Sequence, residues 1–189
     1  MLFFIMLYVF LGILAVVILI LIYILTLYNG LVRLNNRVKE AFSTMDVYLK
    51  KRWDLIPNLV ETVKGYAKHE KGTLEEVIKL RNGAYDSMTD EEKIETNAGL
   101  SRGISRIMAL AESYPDLKAN QNFMDLSGQL SKIEEDIANS RKYYNAVVKM
   151  FNDKVEVFPN NLFAGMFGRR SVAMFETSAS ERENVQVKF

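Results

Sequence analysis

The sequence predicts an all-α protein in which an N-terminal transmembrane helix continues into a long-helix antiparallel (up-down) four-helix bundle, followed by an extended apolar C-terminal tail. Three observations predict this fold. Residues 2–27 carry no charged side chain, apolar residues then recur at helical spacing over two long stretches, and 3 prolines and 10 glycines are few for an all-β protein. We place the anchor at 1–28, the bundle at 29–157 and the tail at 158–189.

The first element is an apolar segment long enough to cross a bilayer. About 26 helical residues at 1.5 Å each extend roughly 39 Å, more than the roughly 30 Å of a hydrocarbon core. No basic stretch or small-residue cleavage site accompanies it, so we expect an uncleaved, single-pass anchor in the cell inner membrane. Tyr23 and Tyr28 fit the aromatic belt at its end. Arg33, Arg37 and Lys39 follow, which predicts an N-terminus outside and a cytoplasmic domain.

Beyond the anchor, a heptad pattern predicts that the same helix runs on into the domain. Its apolar positions alternate at spacings of four and three: Val38, Phe42, Met45, Leu49, Ile56, Leu59, Val63 and Tyr66. Arg52 falls on this seam, so its charge needs an acidic or carbonyl partner in the bundle or in a neighbouring chain. Pro57 predicts a kink rather than an end, and Gly72 is expected to close the helix.

Three more helices follow in the predicted bundle. A Thr-x-x-Glu capping box at Thr73 is expected to open a short helix, and a second box at Thr89 opens the next one, where Gly99 and Gly103 allow close packing. The short helix has apolar positions Leu74, Val77, Ile78, Ala84, Tyr85 and Met88. After Pro115, a long heptad comprises Phe123, Leu126, Leu130, Ile133, Ile137, Tyr144, Val147, Phe151 and Val155. Short loops between these helices imply antiparallel neighbours.

The tail after Pro159 has more apolar residues than a free linker would carry. Its candidate interaction residues are Leu162, Phe163, Met166, Phe167, Val172 and Phe175, and the end alternates at Val185, Val187 and Phe189. Arg169 and Arg170 interrupt this apolar run. A segment of about 14 residues cannot enclose a core, and four helices already supply the bundle's seam. We therefore expect the tail to be ordered by a neighbouring subunit or by the membrane surface, with the subunit favoured.

Composition argues against an enzyme and against a nucleic-acid-binding protein. The formal net charge is +1, from 24 basic and 23 acidic side chains, which creates no field that attracts DNA or RNA. The chain has no cysteine, and His69 is its single histidine, read as a solvated residue at a helix end. Acidic pairs such as Glu134 with Glu135 are expected on solvated faces. We expect no catalytic residue, no metal and no cofactor.

With these motifs in place, the chain resembles the LemA family. The matching stretches include Tyr28-Asn29-Gly30-Leu31-Val32, Arg37-Val38-Lys39-Glu40-Ala41-Phe42, Asp46-Val47, the run from Leu49 to Ala67 with its core Lys50-Lys51-Arg52-Trp53-Asp54-Leu55-Ile56-Pro57-Asn58-Leu59, Tyr114-Pro115-Asp116-Leu117-Lys118-Ala119-Asn120, Asn122-Phe123, Tyr143-Tyr144-Asn145, and Phe158-Pro159 with Asn161. Trp53 is a departure, because the family commonly has Tyr or His there. The resemblance implies a long-helix bundle behind an anchor, and no established catalytic residues.

The resemblance also implies association with bacterial membranes, with envelope stress and, in magnetosome-forming bacteria, with building an internal membrane compartment. Some relatives are exported lipoproteins, but this chain lacks the cysteine they need. The first functional hypothesis is a membrane-anchored scaffold that forms homo-oligomers, including high-order ones, and organises or shapes the bilayer. The alternative is an adaptor for an envelope protease or signalling partner, which would bind the surface around Arg52, Trp53 and Pro57.

Overall fold

The computed structural model describes residues 1–67, 70–81 and 83–175, and this part of the chain is helical without strands. The all-α prediction is confirmed. His69 and the alternating end at Val185, Val187 and Phe189 lie outside the described residues. The chain forms two compact units: residues 1–42 with 143–174, and residues 43–142 with Phe175. The up-down arrangement of a four-helix bundle stays a prediction.

The first helix, α1, runs from Leu2 to Tyr66 and contains both the apolar segment and the first heptad stretch. Its predicted continuation out of the membrane segment is confirmed. By length and composition α1 is the one helix in the described structure that can cross a membrane, and its most apolar 18-residue window is uncovered. The helix continues through Pro57, as expected, although the kink itself stays a prediction.

The predicted boundary between the first two helices is wrong. The first helix ends at Tyr66 rather than at Gly72, and α2 spans Lys71–Leu80. Thr73 therefore lies inside the first turn of α2, and the residue at the N-cap makes no side-chain hydrogen bond. The expected partner in the box, Glu76, instead accepts a hydrogen bond from Arg106. A tertiary ion pair thus occupies the carboxylate that the local pattern assigned to capping.

The second helix is also shorter than its apolar pattern predicted. It ends at Leu80, and Tyr85 lies in a separate 3-10 turn, Tyr85–Ser87. Ile78, expected in the core, is exposed. Beyond the helix the Tyr85 ring packs against Trp53, a contact between residues far apart in sequence that the helical pattern does not include.

The third helix, α3, spans Asp90–Ala111 and begins as the sequence predicts. The amide of Glu92 donates to the Thr89 hydroxyl oxygen at 3.2 Å, and the Thr89 amide donates to the Glu92 carboxylate at 2.7 Å. The predicted close packing is confirmed as well. A Cβ placed on Gly99 would lie 2.9 Å from a Leu80 methyl carbon, and one on Gly103 would lie 2.6 Å from a Val77 methyl carbon.

A short helix, α4, spans Pro115–Lys118 and separates α3 from the long helix α5, Gln121–Glu156. Proline stands at the first turn of α4, where its missing N–H removes no helical hydrogen bond. The Asn120 side chain accepts from the Phe123 amide at 3.1 Å and so caps the start of α5. The predicted interruption and the predicted long helix are both confirmed.

The tail is not extended throughout, which corrects the expected fold. Residues Asn160–Met166 form a last helix, α6. Gly168 ends it with φ +65°, a left-handed conformation that glycine adopts without a Cβ clash, and the Arg169 amide then donates to the Ala164 carbonyl at 2.9 Å. The Gly-Arg sequence thus acts as a helix stop.

Each unit has its own apolar interior, to which the two heptad stretches contribute most of the long-helix residues. In the first unit the buried residues include Leu27, Leu31, Val38, Phe42, Tyr144, Val148, Phe151, Val155 and Ala164. In the second they include Met45, Leu49, Ile56, Leu59, Val63, Val77, Leu100, Ile104, Ile107, Leu117 and Leu130. Most of the periodic residues are therefore core residues, as the sequence predicts, but Tyr66 is exposed and Leu126 and Ile133 are only half-buried.

Candidate functional site

Arg52 is buried within the second unit, and its side chain is only 1% exposed. Its Nη1 donates to a Glu134 carboxylate oxygen at 2.5 Å and to the Ser101 hydroxyl at 2.6 Å. Its Nη2 donates to the Asn97 carbonyl at 2.9 Å and also to the Asn97 side-chain oxygen. The predicted acidic partner is therefore Glu134, and we call Arg52, Asn97, Ser101 and Glu134 the Arg52 cluster.

The Arg52 cluster joins three helices around one cation. Arg52 comes from α1, Asn97 and Ser101 from α3, and Glu134 from α5. A buried guanidinium is tolerated only where acceptors replace the water it has lost, and here four acceptor atoms do so. Its Nε is buried without a hydrogen-bond partner. The arrangement fixes the register of the helices, and it leaves Arg52 out of reach of an external partner.

Sequence reasoning assigned Glu134 to a solvated face, and this was wrong. Its side chain is 36% exposed, so it borders the core rather than facing open solvent. The signal that could have found it is its position directly beside the apolar stripe of α5, next to Ile133. A charged arginine on a buried seam requires an acid in such a bordering position.

Trp53 is buried as well, in a second polar group that the sequence did not predict. Its ring packs against Tyr85 with centroids 5.4 Å apart. The Tyr85 hydroxyl donates to Asp46 at 2.6 Å, and the Lys93 ammonium donates to the other Asp46 oxygen at 3.0 Å while lying 4.8 Å from the centre of the Tyr85 ring. We call Asp46, Trp53, Tyr85 and Lys93 the Tyr85 cluster.

The Tyr85 phenol is held in its neutral form. Burial raises the pKa of Tyr85 far above its ordinary value, and the hydrogen bond to the Asp46 carboxylate raises it further. A neutral phenol that donates to a carboxylate paired with Lys93 leaves each of the three groups with a partner. The cluster is thus suited to structure rather than to proton transfer.

Of the three candidate residues on α1, only Pro57 reaches the surface. It is half-buried and lines a shallow groove together with Val60, Ile78 and Arg81. Arg52 and Trp53 are buried in their own unit. An interaction through this part of α1 would therefore use the Pro57 groove.

The tail helix α6 packs on α1 in the first unit. The Tyr23 hydroxyl donates to the Asn160 side-chain oxygen at 2.5 Å, and the Tyr23 ring lies edge-on to Phe163 with centroids 6.2 Å apart. Phe167 meets Tyr28 in the same way at 5.1 Å. Both aromatic residues of the predicted belt thus hold the tail.

The segment after α6 follows α5. The Asn152 side chain accepts from the Val172 amide at 2.8 Å and donates to its carbonyl at 2.9 Å, and the Tyr144 hydroxyl donates to the Ala173 carbonyl at 3.3 Å. The expectation that the chain's own helices leave no surface for the tail is therefore wrong. Their flanks provide hydrogen bonds and aromatic rings that a count of core positions does not include.

The candidate tail residues fall into two groups. Leu162 and Met166 are exposed at 59% and 80%, while Phe163, Phe167 and Val172 are half-buried and Phe175 is buried. A partner could reach the first group without any rearrangement.

Among residues 1–67, 70–81 and 83–175, no group of three or more His, Asp or Glu side chains is placed to hold a metal ion.

Comparison with known proteins assigns the chain to a family. The model of the LemA family matches residues 41–189, which include both polar clusters and the whole tail. The chain belongs to the LemA family. The resemblance carried by the long-helix motif is thereby confirmed, with Trp53 and Arg52 inside the matched range.

This LemA-family chain has relatives of two kinds. It is 27% identical over 158 residues to Protein LemA of Metamycoplasma hominis, covering 83% of this chain and 72% of that protein. It is 23% identical over 176 residues to Magnetosome protein MamQ 2 of Paramagnetospirillum magneticum, covering 79% of this chain and 64% of that protein. Magnetosome protein MamQ of Magnetospirillum gryphiswaldense is 20% identical over 174 residues, covering 78% and 64%. The N-terminal apolar helix and these relatives indicate a membrane-associated protein.

Proposed function

We propose that this LemA-family chain is a non-enzymatic, membrane-anchored scaffold that self-associates and organises or shapes the bacterial membrane. One observation carries the proposal. Within the first unit, the helix that supplies the uncovered apolar segment continues without a break into the buried positions Leu27, Leu31 and Val38. No flexible linker separates the anchor from the packed part of the first unit, so the orientation of that unit is tied to that of the anchor.

The two polar clusters support a structural role. In the Arg52 cluster the guanidinium is engaged by acceptors on two other helices, and in the Tyr85 cluster a neutral phenol is bound to a paired carboxylate. Groups that work in catalysis usually lie in an open cleft with a pKa matched to the working pH, whereas the Arg52 guanidinium is buried and the pKa of the Tyr85 phenol is raised away from neutrality. The names of the MamQ relatives place those proteins at a magnetosome, a setting consistent with membrane organisation.

The mass of the particle tests this proposal. The full chain is extracted in a mild detergent and its protein mass is measured by size-exclusion chromatography with light scattering. A scaffold should elute as a large homo-oligomer of this chain alone, and cross-linking in intact membranes should give the same ladder before extraction. A monomer in detergent together with no cross-linked ladder in membranes would refute self-association.

An adaptor for an envelope protease or signalling protein is the second candidate. The Pro57 groove favours it, because Ile78 is exposed there and the buried Nε of Arg81 has no hydrogen-bond partner. An adaptor should be small in detergent and retain a stoichiometric second chain. Ile78→Glu should release that chain, whereas Val47→Glu, at another exposed apolar position of the same unit, should not. Release by both variants or by neither would remove the groove from consideration.

For topology, we propose a single pass through the inner membrane with the N-terminus outside and the domain in the cytoplasm. Arg33, Arg37 and Lys39 directly after the apolar segment support this orientation. A reporter fused after Phe189 should be active in its cytoplasmic form. Activity only in the exported form would reverse the assignment.

A further inference from the structure

We infer that α6 and its flanks form an interfacial segment that lies in the headgroup boundary of the same bilayer that α1 crosses, with an anionic lipid surface as its partner. The segment is residues 157–170, and we call it the interfacial segment. The inference is independent of whether the chain self-associates.

Its depth follows from where it touches α1. A helix needs about 20 residues to cross the hydrocarbon core, so a span that begins near Leu2 leaves the core close to Tyr23. Tyr23 contacts Asn160 and Phe163, and Tyr28 contacts Phe167. Tyrosine is enriched at this level of membrane proteins because its ring is apolar and its hydroxyl is polar. The contacts therefore hold α6 at the level where the span leaves the lipid.

The face of α6 turned away from α1 is apolar. Leu162 and Met166, one helical turn apart, are exposed at 59% and 80%, and Val157 and Phe158 just before the helix are exposed at 56% and 73%. The opposite face carries the fully buried Ala164 and the two phenylalanine rings that meet tyrosines. Both faces of so short a helix are thus apolar, and only one of them is covered by protein.

The charges within the interfacial segment are positive, and the nearest acidic side chain before it, Glu156, accepts a hydrogen bond from Ser171. Residues 157–175 contain no acidic residue, and Arg169 and Arg170 follow α6 directly. Arg33 and Arg37 lie on α1 shortly after Tyr28. Apolar side chains at the acyl boundary with cations at the headgroup level are the composition of segments that lie on anionic membranes.

A second copy of the chain fits this face less well than lipid does. Four partly exposed side chains offer well under the roughly 800 Å² per partner that a stable protein interface buries. A protein partner would also have to present its own apolar surface beside the span, where lipid is already present. We therefore propose lipid as the partner of the exposed Leu162 and Met166 side chains, in place of the neighbouring subunit that the sequence favoured.

Site-directed labelling tests the inference directly, because the chain contains no cysteine of its own. Met166→Cys and Leu162→Cys are labelled with a nitroxide in the full chain, reconstituted at low protein density in phosphatidylcholine vesicles containing phosphatidylglycerol. Collision rates with oxygen and with a water-soluble nickel complex are then measured. Met150→Cys is the matched control, since Met150 is also an exposed methionine of the first unit but lies on α5, between Tyr144, which contacts Phe42, and Lys154, which lies beside Gly30.

In vesicles the labels at 162 and 166 should show several-fold higher oxygen than nickel accessibility, whereas the label at 150 should show the reverse. Nickel accessibility at 162 and 166 equal to that at 150 would overturn the inference. Strong spin–spin broadening between labels at low density would overturn it in favour of a second copy. Arg169→Gln with Arg170→Gln should shift the label at 166 toward water in the anionic vesicles and not in pure phosphatidylcholine. No shift in either would refute the role of anionic headgroups.

Discussion

Neutralising the carboxylate of the Arg52 cluster should destabilise the second unit far more than neutralising a surface carboxylate. Glu134→Gln keeps the size and one acceptor oxygen but removes the charge that faces a guanidinium only 1% exposed. Breaking a fully buried ion pair costs about 3 to 5 kcal/mol. Glu134 is 36% exposed and Arg52 keeps its acceptors on Ser101 and Asn97, so we expect a loss of about 1 to 3 kcal/mol.

The chain supplies a matched control in the pair between Arg106 and Glu76. It joins the same residue types across two helices, but both side chains are largely exposed. Glu76→Gln should therefore cost about 0 to 1 kcal/mol, because solvent screens the pair. The assay is urea unfolding of the full chain in mild detergent, followed by the fluorescence of Trp53, the single tryptophan and a buried residue of the same unit.

The difference between the losses of stability in Glu134→Gln and Glu76→Gln measures how much burial of Arg52 strengthens its ion pair. A loss for Glu134→Gln no larger than that for Glu76→Gln would show that burial of Arg52 does not strengthen its ion pair. Arg52→Met gives a second measure, since it removes the buried charge and leaves the Asn97 side chain without its donor. In the double variant the two losses should be non-additive by about 1 kcal/mol or more, because the two residues are in contact.

Three further predictions use the same unfolding assay. Tyr85→Phe should lower the free energy of unfolding by about 1 kcal/mol at neutral pH. The difference in unfolding free energy between wild type and variant should narrow above pH 10.0, the ordinary phenol pKa, because there Tyr85 ionises in the unfolded chain while its raised pKa keeps it neutral in the folded chain. A difference that stays constant with pH would contradict this. Gly103→Ala should destabilise the protein, because the new Cβ would clash with Val77. Gly128 has open space around it on a helix, so Gly128→Ala should stabilise the protein by about 0.5 to 1 kcal/mol. Equal effects of the two substitutions would refute the close packing at Gly103. Thr89→Ala should reduce the free energy of unfolding by about 1 kcal/mol and Thr73→Ala by clearly less, because only Thr89 caps a helix. A larger loss for Thr73→Ala would refute the capping assignment.

Signals that act within a few residues were readable from the sequence. The capping box at Thr89, the interruption at Pro115 and the helix running through Pro57 were all predicted, because each depends on neighbouring backbone groups. The box at Thr73 failed although its pattern is the same. There the carboxylate is used by Arg106, thirty residues away, and local chemistry carries no information about that competitor.

The candidate sites show the same division. A charge on an apolar seam reveals that Arg52 needs an acid, but not that the acid is Glu134, 82 residues along the chain. Of the Tyr85 cluster, the sequence singled out Trp53 but not its association with Asp46, Tyr85 and Lys93. The hydrogen bonds of the cluster join Asp46 to residues 39 and 47 positions away, and no spacing rule links positions so far apart.

By itself the sequence determined that this protein has an apolar span, two long helices with buried seams and a tail that has to be covered. Those properties depend on composition and period, because water excludes apolar surface wherever it lies. Only the tertiary structure decided what covers the tail. Tyr23 and Tyr28 were read as membrane-belt residues, and folding brings α6 beside them. That choice depends on which helix flanks the chain brings together, a relation between distant residues that no local pattern contains.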